Sequence, residues 1–414
     1  HVGAGATWGE VASTAESAGA LAVHGECAGV GAVGSSMHGG VSYRVLHNLY
    51  GLSSDRIRGF EVVLTNGSII TCSLEPFCHT RELHGQSAVV HAPELWFAIR
   101  GAGSLVGVVT RLTLLAPCDP RPRVWTLPRT LPSKAALANL SRACESLDAP
   151  ASPHSLNLMF ISNGGVFRDA QLEVGEVPDG PNYRSNTSDW PAIKTSSELM
   201  QRLSASLTRE FPSAFPTRPV TTLSRGVDYT PLFGRMPFGG FALIVAANQR
   251  NDTNVSVQAS APVQAVLSEA PKAAVKCSRC YLNVNRAGRG LRGEMPSTAH
   301  LRSCIHPARR RAAWMVELTC ATADWPGGCA QSILQVQQKA EAACAPDQCW
   351  HYFNVPGIKN TSDTAPTLSN EDAVRFWGAN WPRLREVVSA YDQVGLLSRL
   401  CLLYTSDAAD EGHC

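Results

Sequence analysis

GECAGVGAVGSSMHGG, residues 25–40, places six glycines in sixteen positions. A stretch this rich in glycine exposes backbone N–H groups and lets the main chain come close to something flat or anionic. The competing reading is an ordinary surface loop. Seventeen of the chain's 34 glycines fall in the first 110 residues, so that quarter reads as short strands joined by tight turns. Two other glycine pairs fail as dinucleotide fingerprints. Gly3-Ala-Gly5 lacks the third glycine and the downstream acidic residue, and Gly101-Ala-Gly103 is followed by a strand rather than a helix.

Working outward, Val11, Ala15 and Ala18 have helical spacing and predict a helix over 8–20. A short strand over 21–24 and a long loop over 25–40 follow. The segments 60–65 and 68–72 flank Asn66-Gly67, the strongest short hairpin signal. A helix is predicted over 94–99 and a β-branched strand over 106–115. A proline-rich stretch, 117–132, marks a boundary. Beyond it the pattern predicts helices over 196–211 and 330–343 and strands over 240–247 and 312–319. A loop over 363–370 precedes a helix over 371–391, with Trp377, Leu384, Val387 and Val388 on one face. Strands and helices without regular βαβ alternation indicate an α+β domain.

The bulk numbers bound the rest. The chain has 414 residues, 44% of them hydrophobic, which suits two domains. Lys+Arg is 36 against Asp+Glu 34, so a net charge of +2 makes no case for nucleic acid or an anionic membrane surface. The longest apolar runs, such as 241–247, are too short to span a bilayer. The chain opens on His1 with no leader-like segment, which is read as a start inside a domain or as processing there, and which leaves a signal peptide open. Residues 401–411, CLLYTSDAADE, match the translation of a sequencing adapter, so 401–414 are set aside as read-through. That leaves twelve of the 14 cysteines, without Cys401 and Cys414. Six Asn-X-Ser/Thr sites (Asn66, Asn139, Asn186, Asn251, Asn254, Asn360) point to a secretory route. Cys344/Cys349 and Cys320/Cys329 are spaced for local disulfides. The CxxC at Cys277 and Cys280 lacks a second ligand pair, so structural disulfides or free thiols rank above zinc.

Several segments in fixed order now carry a resemblance: VGAGATWGEV (2–11), the glycine stretch (25–40), YGLSSDRI (50–57), EVVLTNGSII (61–70) and LWFAIRGAGSLVGVVT (95–110). Near the other end stand HYFN (351–354) and RFWGANWPRLREVVSAYD (375–392). Together they resemble the p-cresol methylhydroxylase/vanillyl-alcohol oxidase superfamily, most closely its berberine bridge enzyme-like, FAD-linked branch. The resemblance implies an α+β fold class. An incomplete p-cresol methylhydroxylase-type (PCMH-type) FAD-binding domain occupies 1–117. An α+β substrate-binding domain with an antiparallel sheet occupies 118–368. A C-terminal segment, 369–400, returns to the FAD domain. It further implies that a pyrophosphate-cradling subdomain, which in the family often supplies a flavin-linking histidine, lies before His1.

The resemblance also implies site residues. Cys27, with Val30 and Gly31, matches the Cys-X-X-Val-Gly pattern whose cysteine bonds flavin C6; the alternative is a disulfide half or a buried thiol. Gly34, Gly39 and Gly40 complete that cofactor loop. Gly103, Gly107 and Val109 fall where the family places backbone against flavin; a turn and a core strand would look the same. Asp55 contacts flavin or caps the next turn. Glu317 matches an active-site acid, and equally suits an outward strand carboxylate. Tyr352 matches an active-site tyrosine that could pair with Glu317 for proton removal, the alternative being a half-buried core tyrosine. Where the family often has Tyr and Asp after the Asn of this motif, Val355 and Gly357 stand instead. The implied function is an FAD-dependent oxidase taking hydride from a carbohydrate or secondary-metabolite alcohol, with O2 or another acceptor, no metal and a secretory location. The rival is a non-catalytic secreted glycoprotein on the same scaffold.

Overall fold

The computed structural model describes residues 1–25, 28–41, 51–81, 87–116, 123–129, 155–163, 165–176, 238–246, 261–286, 303–307, 312–345, 348–356, 370–393 and 395–397. The predicted helix over 196–211 and the loop over 363–370 lie almost wholly outside them.

Two antiparallel sheets organise the chain. The first takes β1 (Val2–Gly3), β2 (Ile57–Val63), β3 (Ile69–Leu74), β4 (Phe77–Arg81), β5 (Ser87–His91) and β6 (Val108–Leu114) in the order β1-β6-β2-β3-β4-β5. Its β2–β3 hairpin turns at Asn66-Gly67, as the sequence predicts: Gly67 has φ +81° and Asn66 Oδ1 accepts from Ser68 N at 3.0 Å. Helices α1 (Trp8–Ser17), α2 (Ala32–Met37) and α3 (Pro93–Ala102) pack around it. A capping box at Thr7 and Glu10 starts α1.

The second sheet takes β7 (Arg123–Arg129), β8 (Ser155–Asn163), β9 (Val166–Glu176), β10 (Phe238–Ala246), β11 (Arg279–Arg286), β12 (Ala312–Ala321) and β13 (Cys349–Pro356) in the order β13-β10-β12-β11-β8-β9-β7. Strand alternation sends Leu243, Leu282, Val316 and Leu318 to one face, where helices α4 (Ala261–Ala274) and α5 (Cys329–Ala342) close the core. The other face presents Ala242, Ile244, Met315 and Tyr352 toward the first sheet's loops. Helices α6 (Asn370–Trp377) and α7 (Trp381–Tyr391) return to the first core through Phe376, Trp377, Leu384 and Val387.

Four sequence expectations are corrected. Residues 21–24 are buried but form no strand; Ser53 Oγ, not a neighbouring ladder, satisfies the Val23 carbonyl at 2.8 Å. The expected loop over 25–40 contains α2, whose Ala32, Val33, Ser36 and Met37 form a buried helical stripe that the glycine density obscured. The expected helix over 371–391 is two helices. Gly378, at φ +53°, breaks it where a Cβ would meet the His306 ring. Cys344 pairs with Cys349 as expected, but Cys320 does not pair with Cys329. Cys320 stands directly opposite Cys280 on the neighbouring strand and bonds it, while Cys329 bonds Cys277. Cys72–Cys78 closes a fourth bond.

One buried ion pair has a pH signature. His351 Nε2 lies 2.8 Å from Glu341 Oε1, and Gln337 Nε2 donates to the same oxygen at 2.9 Å. Burial raises the Glu341 pKa, but these bonds and the charges of His351 and Arg375 outweigh it, leaving it below 4.5. A carboxylate with a depressed pKa contributes stability that is present above its unfolded value and lost as pH falls through the folded one. Stability measured by urea denaturation is therefore expected to fall on acidification below 4.5. Glu341→Gln is expected to flatten that acid limb. An unchanged slope in the variant would contradict the assignment.

Candidate active site

The glycine stretch meets the second sheet at one place. Gly31 precedes α2, Gly34 lies within it, and two consecutive left-handed glycines follow it, Gly39 (φ +109°) and Gly40 (φ +59°). The conformation demands glycine at position 40 twice over, because a Cβ there would also fall 2.7 Å from Ser53 Cβ. Ser53 N donates to Gly40 O at 2.8 Å and Ser54 N to Gly39 O at 3.1 Å, pinning the loop to the 3₁₀ turn Ser53–Arg56. His38 ties the loop to a second 3₁₀ turn, Gly103–Leu105: its Nδ1 bonds Gly34 O at 2.9 Å and its Nε2 bonds Ser104 Oγ at 2.7 Å.

The next residue makes the cross-link between the halves. Val41 N donates to Tyr352 Oη at 3.0 Å, across 311 residues of chain. Tyr352 is buried there among Leu52, Ala242, Ile244, Ile305, Ala312 and Met315. The glycine stretch and the HYFN strand, which the sequence links to cofactor and substrate respectively, thus meet through one hydrogen bond.

Glu317 is half-buried on β12, on the same face as Met315. It does not stand beside Tyr352. Strand β10 runs between β12 and β13, with Ala242 level with Glu317, so the two side chains start roughly 10 Å apart, two strand spacings. The residue between them is Ala242, whose small side chain is fully buried. The residue directly across from Glu317 on β11 is Asn283. Sequence reasoning missed it. Asn283 is 1% exposed and its Oδ1 has no hydrogen-bond partner. Buried carboxamide oxygens are almost always paired, which sets Asn283, opposite Glu317, apart from its neighbours on β11. The signal was present in YLNVNR, 281–286, where Tyr281, Asn283 and Asn285 alternate against Leu282 and Val284.

The remaining expected cofactor residues are distributed as follows. Val30 packs partly buried against the first core. Asp55 caps its own turn, its Oδ2 accepting from Leu52 N at 3.0 Å. A Cβ on Gly103 would fall 2.7 Å from Met37 Sδ, and one on Gly107 would fall 2.3 Å from Val62 Cγ2. Packing alone therefore requires glycine at 107, where Val63 O would also lie 2.8 Å away, whereas at 103 the flexible Met37 side chain could shift. Val109 is a buried core residue paired to Val62. Cys27 lies outside the described residues.

The two sheets form an α+β scaffold that shares the fold of vanillyl-alcohol oxidase-type flavoproteins of known structure. A solved structure, berberine bridge enzyme-like 1 of Physcomitrella patens, superposes with a TM-score of 0.63 over 95% of this chain and 74% of that one, at 16% identity. Among curated proteins, the FAD-dependent monooxygenase FUP4 of Fusarium proliferatum is 34% identical over 158 residues, covering 37% of this chain and 27% of the relative. Xylooligosaccharide oxidase of Thermothelomyces thermophilus is 37% identical over 106 residues, covering 25% of this chain and 18% of the relative. The matches thus span about a quarter or less of these curated relatives. No protein-family model matches the chain. Over the matched segments the chain is similar to parts of FAD-dependent and FAD-linked oxidoreductases.

Proposed function

We propose that the protein is an FAD-dependent oxidase that takes hydride from a carbon bearing a hydroxyl, with a carbohydrate or secondary-metabolite alcohol as substrate and O2 as the reoxidising acceptor. The observation that carries this reading is the Val41–Tyr352 bond, which sets a phenol from the substrate-side sheet against the glycine loop. Relatives at 34% and 37% identity named as an FAD-dependent monooxygenase and a xylooligosaccharide oxidase support the cofactor and the carbohydrate alternative.

The residues present suit FAD. Gly39 and Gly40 turn backbone rather than side chains toward the junction, and the buried Ser54 hydroxyl beside them has no partner. Gly31, Gly34, Gly39, Gly40 and the main chain of 103–107 would hold the flavin, and Cys27 would bond it. Bound there, FAD supplies the hydride acceptor. The protein's part is proton removal and positioning. Tyr352 would accept the substrate hydroxyl proton as its phenolate, a form that the fixed Val41 N–H would stabilise before the transfer. Asn283 Oδ1 and Glu317 accept from neighbouring hydroxyls and orient the ring or chain across Ala242.

Asn283→Ala is expected to raise KM about threefold to tenfold, the net worth of one hydrogen bond, with a smaller change in kcat. Steady-state peroxide release against an oligosaccharide series measures it, and an unchanged KM would remove Asn283 from the substrate site.

The secretory location is proposed on two supports. Asn66 is exposed at the β2–β3 turn within an intact sequon, and four disulfides tie the described core. Protein from a secretory host is expected to run faster on a gel after peptide N-glycosidase treatment; no mobility change would count against the route. Among the described residues no helix is long and apolar enough to cross a membrane.

A further inference from the structure

Four sulfurs gather at one end of the second core. Cys277 lies in the turn after α4, Cys280 is the second residue of β11, Cys320 the last but one of β12 and Cys329 the first residue of α5. All four are buried. The Sγ atoms of Cys277, Cys320 and Cys329 lie within 4.8 Å of one another, although Cys320 belongs to one disulfide and the other two to the second. Sulfurs of separate disulfides that are this close are within reach of exchange once one of them becomes a thiolate.

We propose that these cysteines form one interchangeable redox site, in which a single two-electron reduction by a small dithiol leaves the surviving disulfide on Cys320–Cys329. The dithiol's thiolate attacks Cys277 Sγ, the least deeply buried of the four, and expels the Cys329 thiolate. The reductant's second thiol closes its own disulfide and releases Cys277, which takes a proton. Cys329 then attacks Cys320 Sγ. The Cys329–Cys320 bond forms, the Cys320–Cys280 bond breaks, and Cys280 leaves as a thiolate and takes a proton. The protein has gained two electrons and two protons, the dithiol has become a disulfide, and one protein disulfide remains. The position of Cys329 at the start of a 14-residue helix favours its thiolate in the attacking step.

The consequence is larger than the loss of one link. Two long-range bonds, separated by 52 and 40 residues, are exchanged for a local one of 329 − 320 = 9 residues. Both α4 and β11 then lose their covalent tie to β12 and α5. Strands β11 and β12 carry Asn283 and Glu317, so the site bears on the substrate-facing sheet.

Differential alkylation with tryptic mass mapping tests this on the full-length protein. Cleavage at Lys276, Arg279, Arg286, Arg311 and Lys339 puts Cys277 in 277–279, Cys280 in 280–286, and Cys320 with Cys329 in 312–339. With less than one equivalent of dithiothreitol, Cys277 and Cys280 are expected to take up label together while 312–339 stays unlabelled and internally closed. Labelling of Cys277 and Cys329, with 280–286 still bonded to 312–339, would overturn the proposal, since the disulfides would then be independent. In Cys277→Ser, label at Cys280 is expected to exceed label at Cys329 about tenfold; the reverse ratio would also overturn it. Should that variant not fold, the wild-type titration decides alone.

Discussion

Tyr352→Phe is expected to lower kcat by about 10²- to 10⁴-fold, the range associated with a positioned general base or acid. The substitution removes one oxygen and keeps the ring, so the packing among Ala242, Ile244 and Met315 is retained. What it leaves behind is Val41 N–H, which now donates to Tyr352 Oη at 3.0 Å and would lose that acceptor. Folding should bear this, since one orphaned donor costs about 1–3 kcal/mol. A structural role alone would therefore lower stability slightly and leave turnover near wild type. A catalytic role would lower kcat with flavin content unchanged and would remove the acid-to-alkaline rise of the kcat pH profile. Rapid-reaction measurement of flavin reduction separates the two, and a reduction rate within a factor of about three of wild type would displace Tyr352 from the chemistry.

The largest stability effect is expected at Trp377. Its side chain is 1% exposed, and Nε1 donates to Gly101 O at 3.1 Å. The ring stacks on Trp381 with centroids 5.6 Å apart and meets Phe376 edge-on at 5.8 Å. Gly101 itself sits at φ +141° in the kink of α3, where a Cβ would lie 2.7 Å from Cys304 Sγ. Trp377 thus joins the C-terminal helices to the strained end of α3. Trp377→Ala is expected to cost about 3–5 kcal/mol, as buried tryptophan truncations do. Trp377→Phe keeps most of the packing but orphans the carbonyl, and is expected to cost less. Chemical denaturation gives both numbers. A Trp377→Ala variant within about 1 kcal/mol of wild type would show that the C-terminal helices are not integral to the first core.

Much of this was legible before the structure. The β2–β3 hairpin followed from Asn66-Gly67, because that dipeptide suits the left-handed turn few others adopt. The α5 helix and the β10 and β12 strands were expected over 330–343, 240–247 and 312–319, and the structure forms them within about two residues of those bounds. Helix α2 was not legible, since Gly31, Gly34, Gly39 and Gly40 around it argue for a loop while Met37 and Val33 pack into the core. The Cys280–Cys320 bond was not legible because pairing depends on strand register, which local spacing does not encode. In the site, Tyr352 and the glycine stretch were visible as separate motifs. Their meeting through Val41 was not, because it is a tertiary contact. Strand order also separated Glu317 from Tyr352 and gave it Asn283 as a neighbour, a relation that no sequence motif carries.

The central claim is that this chain serves flavin chemistry on an alcohol. The most direct test is anaerobic mixing of the purified full-length protein with an oligosaccharide series while flavin absorbance is followed, then admission of O2. The account predicts stoichiometric flavin that bleaches with at least one substrate and recovers with O2, releasing peroxide. Protein that is soluble and folded but carries no flavin, or flavin that no alcohol substrate bleaches, would contradict it and favour a non-catalytic role for the same scaffold.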